Sequence, residues 1–306
     1  MTVVDIKPGM SISDAASSAP EGAVLLRLFP GVYREKVFIK RDHVSIIGLG
    51  EKPEDVKIMW GDYALEMMED GMKRGTFRSF TFFIKGENNS LKNLSIINTS
   101  FPREKAGQAI ALFAEGERFT AEKCIFDSFQ DTLFTGPLPF KEIEKGGFRG
   151  PTENDERVVC HQYYKDCRIC GDVDFIFGSA AVLFENCDIV SKNDGYCTAA
   201  STYEGEECGY IFKDCRFINE GCPTESVYLG RPWRDHAKTV LIDCFLDDHI
   251  KREGFHDWGK TAARDTVFYA ECGSQGPGAS SERAGFVRLI DHNEAENLYK
   301  NIRKFL

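Results

Sequence analysis

Two aspartates carry the first chemical signal. Asp131 lies seven residues after Cys124 and Asp174 seven after Cys167, each inside an apolar run, FQDTLF and VDFIF. An unpaired carboxylate is unfavourable in such surroundings. If the two cysteines hold equivalent places in a repeat, so do the aspartates, and one strand spacing of roughly 4.8 Å would separate them. Carboxylates that close do not both ionise at their ordinary pKa: one keeps its proton as a general acid beside an ionised nucleophile or base. Stacked aspartates can also simply cap turns. Asp194, seven residues after Cys187 and just before Gly195, keeps that reading open.

The repeat that would position them recurs along the chain. Leu94, Cys124, Cys167, Cys187, Cys215 and Cys244 each stand in a five-residue segment in which a small or apolar residue, any residue and a larger apolar one follow in turn, as in KDCRI at Lys165 to Ile169. Alternation of that kind is expected of a strand with one buried face. The segments are 20 to 30 residues apart, except for one interval of 43, and Cys272 extends the series. Short strands at such a period predict an all-β solenoid, a parallel β-helix, with the cysteines as an inward ladder. The long interval contains the polar, Gly-, Pro- and Glu-rich stretch 137–157, an excursion from the coil. Helical spacing of Ile12, Ala15, Ala16 and Ala19, and of Ala295, Leu298, Tyr299, Ile302 and Phe305, predicts short helices capping the two ends. No linker divides the chain, so residues 1–306 read as a single domain.

Composition narrows the function. The formal net charge is −10, which argues against a nucleic-acid partner, because phosphate binding draws on clustered Lys and Arg. No apolar run reaches the length of a membrane span, so no membrane partner is expected. The eleven cysteines include only one closely spaced pair, Cys167 and Cys170, without the second pair or the histidines of a zinc site. They read as buried free thiols. The six histidines form no pattern; His161 and His236 lie near other motifs without a role in them. No phosphate-binding glycine loop is present, and neither metal nor cofactor is expected.

From about Ile12 to Ala279 the chain resembles the pectin methylesterases, carbohydrate esterases that fold as a single-stranded right-handed parallel β-helix. The resemblance rests on GVYREKV (Gly31 to Val37), VSIIGLG (Val44 to Gly50), GQAIALF (Gly107 to Phe113), QDTLFTG (Gln130 to Gly136), DFIFG (Asp174 to Gly178) and LGRPW (Leu229 to Trp233), in the family's order. It implies hydrolysis of the methyl esters of galacturonate units in pectin or its oligomers, by a monomer without cofactor. Asp174 would be the nucleophile and Asp131 the acid that becomes a base. Gln108 and Gln130 would donate to the oxyanion, Arg231 would hold Asp174 ionised, and Trp233, Phe134 and Thr76 would contact the sugar.

Departures from the family pattern are Asp172, where plant enzymes tend to have Thr, Phe255 in place of Trp, Cys272 in place of Tyr, and the longer excursion at 137–157, expected to border the cleft. Alternation puts Asp172 on the side of Asp174, where it would raise that group's pKa or face solvent. Two rivals stand beside the esterase: a glycosidase or lyase, since carboxylates about 5 Å apart also suit retaining glycoside hydrolysis, and a binding module that keeps the groove without the chemistry. The first ten residues lack the features of a signal peptide and the thiols are many, so a cytoplasmic enzyme acting on imported oligomers is expected, or a secreted one if a leader was removed.

Overall fold

A computed structural model describes residues 1–101 and 103–306. Every pairing between its named strands is parallel. One sheet of eleven strands takes one strand from each coil, from Thr2–Ile6 to Val287–Leu289. A second, of thirteen strands, wraps the remaining faces, and its long strand Arg168–Gly178 joins two runs of shorter ones. The architecture is the right-handed parallel β-helix.

The repeated segments occupy corners rather than strand centres. In each, a strand of the eleven-stranded sheet ends, one residue turns left-handed, and the next strand begins: Asn93, Lys123, Asp166, Asn186, Asp214 and Asp243 all have φ between 52° and 55°. Asn and Asp tolerate that conformation best among residues with a Cβ, which accounts for five of the six positions. The corner amides bond upward from coil to coil, as from Lys123 to the Lys165 carbonyl at 3.0 Å and from Asp166 to the Glu185 carbonyl at 3.1 Å. The residue after each turn points inward, so Cys124, Cys167, Cys187, Cys215 and Cys244 form the expected buried ladder, and all eleven cysteines are free and buried. Cys272 is not its next rung: it pairs with Ile242, one place before the left-handed position, which Gly273 takes at φ 66°.

Both predicted end helices are present, Ile12–Ser18 capped by Ser11 and His292–Arg303 capped by Asp291. Ile12, Ala16, Ala295 and Ile302 are buried against the coils, covering apolar surface that the last turns would otherwise expose. No helix among the described residues is long and apolar enough to cross a membrane. The interior between the ends is filled by stacked side chains; Phe184, for instance, lies 5.1 Å from Tyr164 and 4.5 Å from Phe212, with nearly parallel rings.

Candidate active site

The site follows from stacking in register. Ile125 pairs with Arg168 and Leu133 with Ile176, so the pairing on either side sets Asp131 against Asp174 in the adjacent coil. The Asp131 amide donates to the Val173 carbonyl at 3.0 Å. One coil earlier, Gln108 pairs with Gln130. Asp131 and Asp174 both have positive φ, 64° and 52°. Asp174 lies inside the strand Arg168–Gly178, where a left-handed residue breaks the alternation of side chains. Asp194 is not a third rung. Pairing slips between Gly171↔Ser191 and Val173↔Tyr196, and the extra residues carry Asp194 out to an exposed position.

Arg231 reaches the site across an intervening coil. Gly230 pairs with Thr198, which pairs with Ile176, so Arg231 starts two coils from Asp174. The coil between presents small side chains at Thr198, Ala199 and Ala200, and at Gly230 a Cβ would lie 2.1 Å from the Thr198 hydroxyl. Over this low step Arg231 donates through Nε to one Asp174 oxygen at 2.8 Å and through Nη2 to the other at 2.6 Å. Its guanidinium lies over two rings, those of Tyr196 and Trp258, with each centroid 4.0 Å away. Sequence reasoning missed both. Trp258 lies three residues after Phe255, beside one of the departures from the family pattern, and Tyr196 carries no local signal. Trp258 itself sits at φ 56°.

Burial dominates the electrostatics. Asp131 and Asp174 are 7% and 8% exposed. Burial pushes the Asp131 carboxyl well above the usual carboxylate range, and the Asp174 and Asp172 charges push it further; Arg231 and a hydrogen bond from Gln130 only partly oppose this. Asp174 is also raised by burial, but the fork from Arg231 acts directly against it. The pair is therefore asymmetric: Asp131 keeps the proton while Asp174 ionises. Asp172 does not face solvent. It is wholly buried, accepts from the Val173 amide at 2.6 Å, and raises both neighbours.

A cleft of about 420 Å³ opens over these residues, lined by Gln108, Gln130, Asp131, Asp174 and Arg231, with Thr76 and Trp233 in its walls. Phe134 is not among the lining residues, contrary to expectation. It is completely buried in an outward row of rings, 4.5 Å from Phe113 and 5.0 Å from Phe177, and Phe77 covers it at 5.1 Å. Phe134 supports the floor, and Phe77 takes its place in the lining. The excursion 137–157 does border the cleft, through Ile143, Glu144, Gly147 and Phe148. Phe255 is a packing replacement, stacked on Tyr269 at 4.2 Å, and Cys272 lies 3.4 Å from His292 Nδ1. His161 and His236 lie outside the cleft lining, beside Glu117 and Glu204. Among the described residues, one group is spaced to hold a metal, Asp247, Asp248 and His249, and none of it lines the cleft.

The chain matches the Pectinesterase family over residues 8–138 and 157–301, and it belongs to that family. It is 32% identical over 294 residues to Pectinesterase 31 of Arabidopsis thaliana, covering 93% of this chain and 85% of the relative. Against a probable pectinesterase/pectinesterase inhibitor of the same plant it is 31% identical and spans 47% of that longer chain. Among solved structures, pectin methylesterase PemA from Erwinia chrysanthemi superimposes with a TM-score of 0.76 at 27% identity, covering 97% of this chain and 94% of that one. A pectin methylesterase in complex with a hexasaccharide gives 0.75 at 28% identity, over 94% and 90% of the two chains. The family match leaves out residues 139–156, nearly the whole excursion.

Proposed function

We propose that this chain, as a single domain spanning 1–306 and acting as a monomer, hydrolyses the methyl esters of galacturonate units in pectin or oligogalacturonides. The observation that carries the reading is the asymmetric pair in one cleft: Asp174 held by the Arg231 fork, and Asp131 raised by burial beside it. An Asp174 oxygen attacks the ester carbonyl carbon, and Asp131 gives its proton to the methoxy group as the carbon–oxygen bond breaks, releasing methanol. A water then attacks the acyl-enzyme carbonyl while Asp131 takes its proton, which regenerates Asp174 and leaves a free galacturonate carboxylate. The amides of Gln108 and Gln130 donate to the tetrahedral oxyanion in both halves. Trp233 and Thr76 contact the sugar. The reaction needs no cofactor.

Methanol release from highly methylated oligogalacturonides, with chain length followed in the same samples, tests this. Methanol with chain length unchanged is expected. Shortened chains would replace the esterase with a glycosidase or lyase, and binding without product would leave a carbohydrate-binding role.

Kinship with the pectinesterases supports the secreted alternative for location over the cytoplasmic one. Buried thiols are compatible with an oxidising compartment, because none is exposed to an oxidant in solution. Detection of the protein in separated cell and medium fractions of its source decides between the two.

A further inference from the structure

The excursion 137–157 is firmly anchored at both feet. At its start, Leu138 is fully buried and its carbonyl accepts from the Tyr203 hydroxyl at 2.6 Å. At its end, Asp155 pairs with Lys85 at 2.8 Å and Lys40 at 3.2 Å, and Arg157 donates to the carbonyls of Thr152, Glu153 and Asp155 at 2.7 Å each. Between the feet, Phe148 inserts into the aromatic floor, 5.8 Å from Phe77, and Arg234 donates to the Lys141 carbonyl at 3.0 Å. What these attachments hold over the cleft is Ile143, 73% exposed, followed by Glu144.

An apolar side chain held out to water next to a carboxylate is an unusual rim for a cleft that receives a polyanion. Among the described residues, no cation lies within ion-pair distance of Glu144. Of the two arginines in the lining, Arg231 is engaged with Asp174, and Arg234 is held by the Trp233 and Lys141 carbonyls. A free galacturonate carboxylate beside Glu144 would meet like charge, whereas a methyl ester is neutral and its methyl group can rest on Ile143.

We propose that Ile143 and Glu144, carried on a segment outside the family match, form a binding subsite for a methyl-esterified galacturonate unit adjoining the one hydrolysed. The inference rests on the esterase reading and adds a preference to it: the enzyme works best where neighbouring esters are intact and slows as free carboxylates accumulate beside its next target.

The test compares kcat/KM for methanol release from fully esterified hexagalacturonate and from hexagalacturonate de-esterified at about half its units, at about 0.05 and 0.5 M NaCl. For the wild type, a preference of about three- to tenfold for the fully esterified oligomer is expected at low salt, shrinking at high salt. Glu144→Gln reduces that ratio towards one, and Ile143→Ser lowers it by about two- to threefold through the esterified substrate. A merely structural role would slow both substrates alike and leave the ratio unchanged, which would overturn the proposal. A salt-independent ratio identical in wild type and Glu144→Gln would do so too. Failure of the esterase reading itself is distinct: the wild type would release methanol from neither oligomer.

Discussion

Arg231 holds Asp174 from two coils away, with its Nε and Nη2 at 2.8 and 2.6 Å from the two carboxylate oxygens. The contact depends on a planar fork, on the small residues at Thr198 to Ala200 beneath it, and on the two rings against which the guanidinium lies. An ammonium group could supply the charge but neither the second hydrogen bond nor the stacking.

Arg231→Lys is therefore expected to lower kcat by about 10²-fold, close to the effect of Arg231→Ala, with the melting temperature little changed. Steady-state rates on a highly methylated oligomer check this. Near-complete rescue by lysine would mean that charge alone suffices.

The two aspartates set the pH profile. Activity requires Asp174 ionised and Asp131 protonated. Asp174 is raised above its ordinary value, so the acid limb should lie higher in pH than an exposed carboxylate would give; Asp131 is raised further and sets the alkaline limb. Both limbs are apparent values of the coupled pair. A bell-shaped kcat/KM is expected, and a flat profile through the neutral range would contradict the assignment.

The same shift predicts a stability effect. A carboxyl whose pKa is higher folded than unfolded contributes stability that is complete below the unfolded value and is lost as pH rises through the folded one. Asp131→Asn removes that loss. The variant should melt at a higher temperature than the wild type at alkaline pH, with the difference shrinking towards acid pH, while its activity falls sharply. Melting curves across pH give the answer, and a difference that grew towards acid pH would have the wrong sign.

The glutamines pair in parallel, yet in the resting site Gln130 also acts on Asp131, lowering its pKa. Gln108→Ala should lower kcat by about 10²-fold as a lost oxyanion donor. Gln130→Ala should do the same and also move the alkaline limb upward, since the bond from Gln130 lowers the Asp131 pKa. Parallel pH–rate profiles of the two variants separate the roles.

Much of this was legible because a solenoid writes its geometry as a period. The cysteine spacing located the inward ladder and set Asp131 against Asp174, although what repeats is a left-handed corner rather than a strand centre. Counting from the cysteine failed at Asp194, where extra residues shift the pairing within one long strand. Phe134 was misplaced because its cover, Phe77, comes from a distant loop that no local pattern announces. Tyr196 went unseen for a similar reason: its partner Arg231 is brought to it only by stacking of the coils.

The central claim is that Asp174 is the nucleophile. Its most direct test is methanol release from a highly methylated oligogalacturonide by the wild type and Asp174→Asn, with melting temperature and oligomer binding measured for both. The account predicts methanol from the wild type and a loss of about 10⁴-fold or more in Asp174→Asn, which still folds and binds. A folded Asp174→Asn that kept a substantial fraction of wild-type turnover would contradict it.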